Sequence, residues 1–196
     1  MNSLNKTYGD KFFRKREGLI WRAQVLCPAI VEVLNPQSVI DVGCAIGDFV
    51  KWFDENHIEA WGIEGSEAAK PYALCPERIV YQDMRLLMDE PLRQCDLVMS
   101  IEVAEHIEPE YADIFVKNLT LMSKLLLLTI AGPGQKGHSH VNLQPPEYWD
   151  ALFAKFHYVR DTESEEKIRK ALMPHRANRW VATIAHNLVI YREEKP

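Results

Sequence analysis

Two short stretches of this chain concentrate the side chains that bind metals or move protons. Residues 102–106 read Glu-Val-Ala-Glu-His, and residues 137–142 read Gly-His-Ser-His-Val-Asn. In a helical turn, positions i, i+3 and i+4 share one face, so Glu102, Glu105 and His106 would converge. Carboxylate oxygens and imidazole nitrogens together make a hard, mixed site of the kind that suits a divalent ion. The residues before the first stretch, Asp96 to Ile101, read as a strand with a Leu-Val-Met core. Those before the second, Leu125 to Ile130, are apolar but for Thr129. Both stretches therefore fall at the C-terminal edge of a sheet, where open α/β folds bind ligands.

A third stretch says what else meets at that edge. Residues 38–50 read Ser-Val-Ile-Asp-Val-Gly-Cys-Ala-Ile-Gly-Asp-Phe-Val. Val39 to Val42 is a short buried strand, and a helix starts near Gly47. A glycine turn between the two lets a ligand approach the backbone, which suits an adenosine-bearing cofactor. A dinucleotide would want G-x-G-x-x-G to make room for its pyrophosphate. Here only two glycines stand in the turn, behind Asp41, and an acid repels pyrophosphate while welcoming an amine. About twenty residues on, Glu64 ends a second strand, Ala60 to Glu64, at the spacing where a carboxylate takes both hydroxyls of a ribose.

The stretch Asp41 to Gly47 resembles motif I of the class I S-adenosylmethionine-dependent methyltransferases, commonly E/D-x-G-x-G-x-G, with Ala45 in the middle glycine position. The resemblance runs over about residues 36–130 and more loosely beyond. It implies that Gly43 and Gly47 shape the floor under S-adenosyl-L-methionine and that Asp41 serves its amino-acid end. By the same token Glu64 holds the ribose, Asp83 accepts from the adenine amino group, and Ser100 and Ile101 lie along the cofactor. E-x-x-E-H with a later histidine resembles the metal site of the small-RNA 3′-terminal 2′-O-methyltransferases. A related motif occurs in the ubiquinone-biosynthesis O-methyltransferases. That likeness implies Glu102, Glu105, His106 and His140 as ligands of a divalent metal (Mg, Mn or Zn), with His138 the second choice for the last place. Without a metal, His106 or His140 would take the proton from an acceptor hydroxyl.

The implied activity is O-methylation of a small molecule or sugar with vicinal hydroxyls. An RNA 3′-terminal 2′-O-methyltransferase and a non-catalytic S-adenosylmethionine-binding protein are the alternatives. A net charge of −5 speaks against nucleic acid as the partner. Nothing in the sequence sets the oligomeric state.

The positioning elements follow from alternating strand and helix patterns. Further strands are expected at Arg78 to Tyr81, His157 to Arg160 and Asn187 to Tyr191. Helices are expected at Ser66 to Ala73 with Ser66 as its cap, Glu110 to Leu121, Glu147 to Lys155, and Asp161 to Leu172 as a polar, exposed helix. Repeated units of this kind predict an α/β fold, a Rossmann-like seven-stranded, mostly parallel sheet with helices on both faces. Residues 1–196 read as a single domain, with 1–34 an N-terminal helical lid carrying Tyr8, Phe12, Phe13 and Trp21. Pro28 would kink the helix there or start it afresh. Tyr148 and Trp149 are candidates for an acceptor wall or for core packing. No apolar run is long enough to span a bilayer, no signal peptide is seen, and four cysteines without metal-type pairing fit a cytoplasmic setting.

Overall fold

The computed structural model describes residues 3–194, so the outermost residues of the expected 1–196 domain lie outside it. Seven strands form one sheet: β1 (Ser38–Val42), β2 (Glu59–Glu64), β3 (Ile79–Tyr81), β4 (Leu97–Ile101), β5 (Leu125–Thr129), β6 (Tyr158–Arg160) and β7 (Leu188–Glu193). Their order across the sheet is β3-β2-β1-β4-β5-β7-β6. All pairs from β3 to β5 are parallel, while β7 runs antiparallel to both β5 and β6. The first strand leaves toward β2 on one side, and the chain later returns to β4 on the other. The edge between β1 and β4 is thus a switch point, where α/β sheets open a crevice.

Eight α-helices accompany the strands among the described residues: α1 (Ser3–Thr7), α2 (Asp10–Arg14), α3 (Trp21–Leu34), α4 (Asp48–Glu55), α5 (Ala112–Thr120), α6 (Pro146–Ala154), α7 (Thr162–Leu172) and α8 (Arg179–Asn187). Successive strand side chains point to opposite faces. Val39, Leu97, Met99 and Leu127 pack under α3, α4, α7 and α8, while Ile40, Val98, Leu126 and Leu128 pack under α5 and α6. The result is the Rossmann-like, mostly parallel α/β sandwich that the strand and helix patterns predict.

Several local expectations change. α3 runs unbroken through Pro28 and belongs to the helical layer against α4 and α7. Only the stretch before it, α1, α2 and a 3₁₀ turn at Lys15–Leu19, lies over the sheet's edge. Residues 67–72 form a 3₁₀ helix, and Ser66 does not cap it. Its hydroxyl shares its hydrogen between the Tyr8 carbonyl at 2.8 Å and the Asn5 side-chain oxygen at 3.0 Å.

α7 is not a free polar helix. Glu165, Ile168 and Leu172 are buried, and the Glu165 carboxylate is satisfied by Arg160, Arg169 and the Ile190 amide. α8 is absent from the expectations. Its Asn178 cap and its buried Val181 and Ile184 were the available signal.

Candidate functional site

The ends of four parallel strands, β1 to β4, converge on one cavity. Its wall takes Asp41 to Ala45 after β1, Ile63 to Gly65 after β2, Gln82 to Arg85 after β3, and Ile101 to Val103 after β4. The stretch from α1 to the 3₁₀ turn closes it with Tyr8, Phe12 and Arg16. It is an open crevice between the strand ends and this segment.

The backbone of the β1–α4 turn is built for close approach. Gly43 has φ +79°, and a Cβ there would stand 2.4 Å from Val103 Cγ2. Ala45, in the middle glycine position, also sits in the left-handed region at φ +52°. A side chain there carries a strain of roughly 1 kcal/mol. The Glu64 carboxylate offsets it by accepting the Ala45 amide at 2.9 Å and the Ser66 amide at 2.7 Å. Burial outweighs these bonds and pushes the Glu64 carboxyl up to about 7. Asp41 is also buried, with Oδ2 unpartnered, and its carboxyl lies well above the usual range for the same reason.

Gly47 and Ser100 depart from the implied roles. Gly47, at φ +79°, starts α4 but faces away from the cavity, where a Cβ would meet Ile79 and Cys75. It shapes the turn from behind and makes no floor. Ser100 is fully buried and donates to the Val42 carbonyl at 3.0 Å, tying β4 to β1 rather than lying along a ligand. Ile101 does line the cavity.

Asp83 lines it too, but its carboxylate is held by Arg85. Burial alone would raise the Asp83 carboxyl. The bonds from the Arg85 side chain and amide win, and hold it below the usual value. Arg85 reaches on to Glu108 at 3.0 Å, joining the loop after β3 to the loop after β4.

The carboxylate and histidine stretches do come together, with one member set apart. Glu105, His106 and His140 place one ligand atom each within 4.8 Å of one another. Glu102 stands outside this group, because its backbone turns left-handed at φ +57° and only Ala104–His106 form a 3₁₀ turn. The i, i+3, i+4 geometry that would have brought it in does not exist. Its Oε1 accepts instead from Thr129 Oγ1 at 3.0 Å and Asn187 Nδ2 at 3.4 Å, at the cavity wall. His138, the alternative ligand, also lies outside the group.

Glu105 is fully buried with neither carboxylate oxygen in a hydrogen bond. Burial and then the charge of Glu102 push its carboxyl up to about 8, although the amides of Glu105 and Ala131 lie near enough to lower it somewhat. The His106 ring meets the edge of His140 at 4.9 Å and of Tyr8 at 5.9 Å. Its Nδ1 lies 3.0 Å from the Ser139 carbonyl, so Nδ1 carries the hydrogen and Nε2 keeps a free lone pair. Burial pulls His106 down to about 4, leaving the ring neutral at physiological pH.

Of the charged residues in this wall, sequence reasoning passed over Arg22, Asp48 and Arg85 and took Arg16 for solvated surface. Of the aromatic candidates, Tyr8 and Phe12 line the cavity and Phe13 is buried beneath them, while Trp21 packs on Trp180. Trp149 is core and Tyr148 packs against it, so neither forms an acceptor wall.

A family description of methyltransferase domains matches residues 19–171, most of the chain and all of the strands that build the cavity. The chain belongs to the methyltransferase domain family. Its fold is that of the class I methyltransferases. A search of curated protein sequences finds no significant match to this methyltransferase.

Solved structures share its fold at low identity. A phosphoethanolamine N-methyltransferase 2 of Haemonchus contortus, bound to phosphomonomethylethanolamine and S-adenosylhomocysteine, aligns over 98% of this chain at 15% identity and TM-score 0.65. This methyltransferase spans 59% of the length of that nematode enzyme. A sugar N-methyltransferase of Streptoalloteichus aligns over 95% of this chain and 92% of its own, at 15% identity and TM-score 0.65. A methyltransferase of Archaeoglobus fulgidus covers 97% of both chains at 18% identity and TM-score 0.60. Among the described residues no helix is long and apolar enough to cross a membrane.

Proposed function

We propose that this methyltransferase carries a methyl group to a hydroxyl oxygen of a small molecule or sugar, with S-adenosyl-L-methionine as donor. Glu64 faces the ribose, Asp41 the amino-acid end, Gly43 and Ala45 the floor beneath the cofactor, and Asp83 and Ile101 its adenine side. When bound, the cofactor supplies a methyl group already activated on a sulfonium sulfur. The chain's own task is then positioning, which dominates catalysis of this kind, and the removal of one proton. His106 is placed for that. Its Nδ1–H is fixed on the Ser139 carbonyl, and with no ion on Nε2 that neutral nitrogen can accept a hydroxyl proton as the oxygen takes the methyl.

The single observation behind a hydroxyl acceptor is the Glu105–His106–His140 cluster beside the cavity, its Glu105 buried with both oxygens unpartnered. A buried carboxylate without partners is costly, and a divalent ion would satisfy it. The residues fit such an ion: one carboxylate and two imidazoles, with His106 oriented from behind by a carbonyl as ligating histidines usually are. When bound, the ion would act as a Lewis acid that lowers the pKa of a hydroxyl and orients a vicinal pair. Glu102 supports this set from the wall and is not part of it.

The test is transfer of labelled methyl groups into catechols, sugars, amines and short RNAs. Vicinal diols should be methylated, and blocking one of the two hydroxyls should abolish transfer. Transfer confined to amines overturns the proposal, and transfer confined to RNA ends favours the nucleic-acid alternative.

The loop geometry offers a gentler probe. A Cβ at Gly137 would stand 2.0 Å from His140 Nε2. Gly137→Ala should therefore push the imidazole out of the cluster and lower kcat by up to about 100-fold, as misplacement by an ångström can. Because Gly137 sits in an exposed part of the loop, the melting temperature should stay at the wild-type value. Unchanged kcat would show that His140 has no part in the reaction.

A further inference from the structure

Asn142 is fully buried, and neither end of its carboxamide has a hydrogen-bond partner. It stands two residues beyond His140, in the segment that folds over Glu105 and His106. Three bonds stitch that segment down. The amides of Val141 and Asn142 both donate to the Glu105 carbonyl, at 3.0 Å and 3.1 Å, and the Ser139 carbonyl accepts from His106 Nδ1 at 3.0 Å.

The two stitched segments hold five buried side-chain atoms without a partner: both oxygens of Glu105, Nδ1 of His140, and the oxygen and nitrogen of the Asn142 carboxamide. Elsewhere among the described residues such atoms occur one to a residue, on Arg22, Asp41, Tyr81 and Trp149. Folded chains leave few buried polar groups unpaired, so a concentration of them at one place points to a ligand.

A carboxamide is costly to bury unpaired, and leucine would fill a similar branched shape without that cost. Asparagine at 142 therefore needs a use that leucine cannot serve. Its two ends are a hard, neutral oxygen donor and a hydrogen-bond donor. Beside it, Glu105, His106 and His140 bring one ligand atom each within 4.8 Å of one another. Three protein ligands are enough for a catalytic zinc, which is four-coordinate. Mn²⁺ and Mg²⁺ are harder, favour an octahedral shell and prefer oxygen.

We propose that the Asn142 carboxamide oxygen is a further ligand of the ion at Glu105, His106 and His140, and that it selects an oxygen-seeking, six-coordinate ion over zinc. The assignment rests on the metal reading of this cluster. It gives the place that Glu102 leaves to a neutral ligand, so the protein neutralises one charge of the ion rather than two.

Calorimetry of the metal-free enzyme with Mn²⁺ alone and with Zn²⁺ alone tests it, beside melting curves in chelator. Asn142→Leu should weaken Mn²⁺ about 10- to 100-fold, as the loss of a group supporting a metal does, and weaken Zn²⁺ less. In chelator the same variant should melt at or above the wild-type temperature, because it removes an unpaired buried group. Mn²⁺ affinity equal to wild type overturns the assignment. A lower melting temperature with equal losses for the two ions marks a support of the fold, and overturns it as well.

If Asn142→Leu does not fold, Asn142→Asp decides. Aspartate keeps the oxygen and adds a charge, so it should bind Mn²⁺ severalfold more tightly than wild type, and equal or weaker binding overturns the assignment. Mn²⁺ binding that is lost in Glu105→Ala but kept in full by Asn142→Leu retains the metal reading and overturns this assignment alone. If the wild type binds neither ion, the metal reading fails, and this one with it.

Discussion

Glu64→Ala is expected to weaken S-adenosylhomocysteine binding by about 100-fold or more in calorimetry, from the loss of two hydrogen bonds to a charged group. The effect has two sources. The carboxylate would lose the ribose hydroxyls, and the turn that cradles the ligand would lose its anchor. Glu64 accepts the Ala45 and Ser66 amides, and Ala45 holds a left-handed conformation that only a supported alanine adopts cheaply. Two buried amides left without an acceptor also destabilise the fold, by about 1–3 kcal/mol each.

Glu64→Gln, which keeps one acceptor oxygen, should fall between alanine and wild type. The carboxyl titrates near 7 in the folded chain against an ordinary 4.5. Between those values the folded state holds a proton that the unfolded state has released. Its contribution to stability is therefore complete below about 4.5 and is lost as pH rises through 7. Cofactor affinity should run the opposite way, because the ionised form is the better acceptor for hydroxyls. Glu64→Gln should flatten both trends. An affinity for S-adenosylhomocysteine unchanged by Glu64→Ala would remove this residue from the site.

The second large effect is expected at the Glu105–His106–His140 cluster. His106→Ala should reduce kcat by about 10²- to 10⁴-fold, the usual contribution of a positioned proton acceptor. S-adenosylhomocysteine affinity should change little, because the imidazole faces the acceptor side. Glu105→Ala and His140→Ala should abolish retention of a divalent ion measured by metal analysis. A chelator should then silence the wild type and have no further effect on those variants. Full activity in the presence of chelator would assign the cluster to proton transfer alone. Full activity of His106→Ala would remove both roles.

Much of this architecture was legible because burial on both faces makes parallel strands read as apolar runs. Leu125 to Thr129 and Leu97 to Ile101 show it plainly. The acids at strand ends were legible for the same reason, since they interrupt those runs at a fixed place. What escaped depended on backbone turns that side-chain spacing does not encode. Glu102 turns left-handed and leaves the ligand set. Gly47 has the expected backbone but points behind the turn.

The arginines escaped because cations on N-terminal helices read as solvated surface. Their aromatic partners are the missed signal, Phe12 one turn before Arg16 and Trp180 far along the chain from Arg22. α8 escaped because its buried face is short, little more than Val181 and Ile184, in an otherwise polar stretch.

The small hydroxyl of Ser66 ties the N-terminal segment to the loop after β2. It fastens the segment that carries Tyr8, Phe12 and Arg16 across the cavity mouth, through one hydrogen shared by Tyr8 and Asn5. Such a bond contributes about 1 kcal/mol net, beside the packing of buried Phe13 with Ile46 and Ala69. A residue that touches no reacting atom thus helps to hold the wall that Tyr8, Phe12 and Arg16 complete.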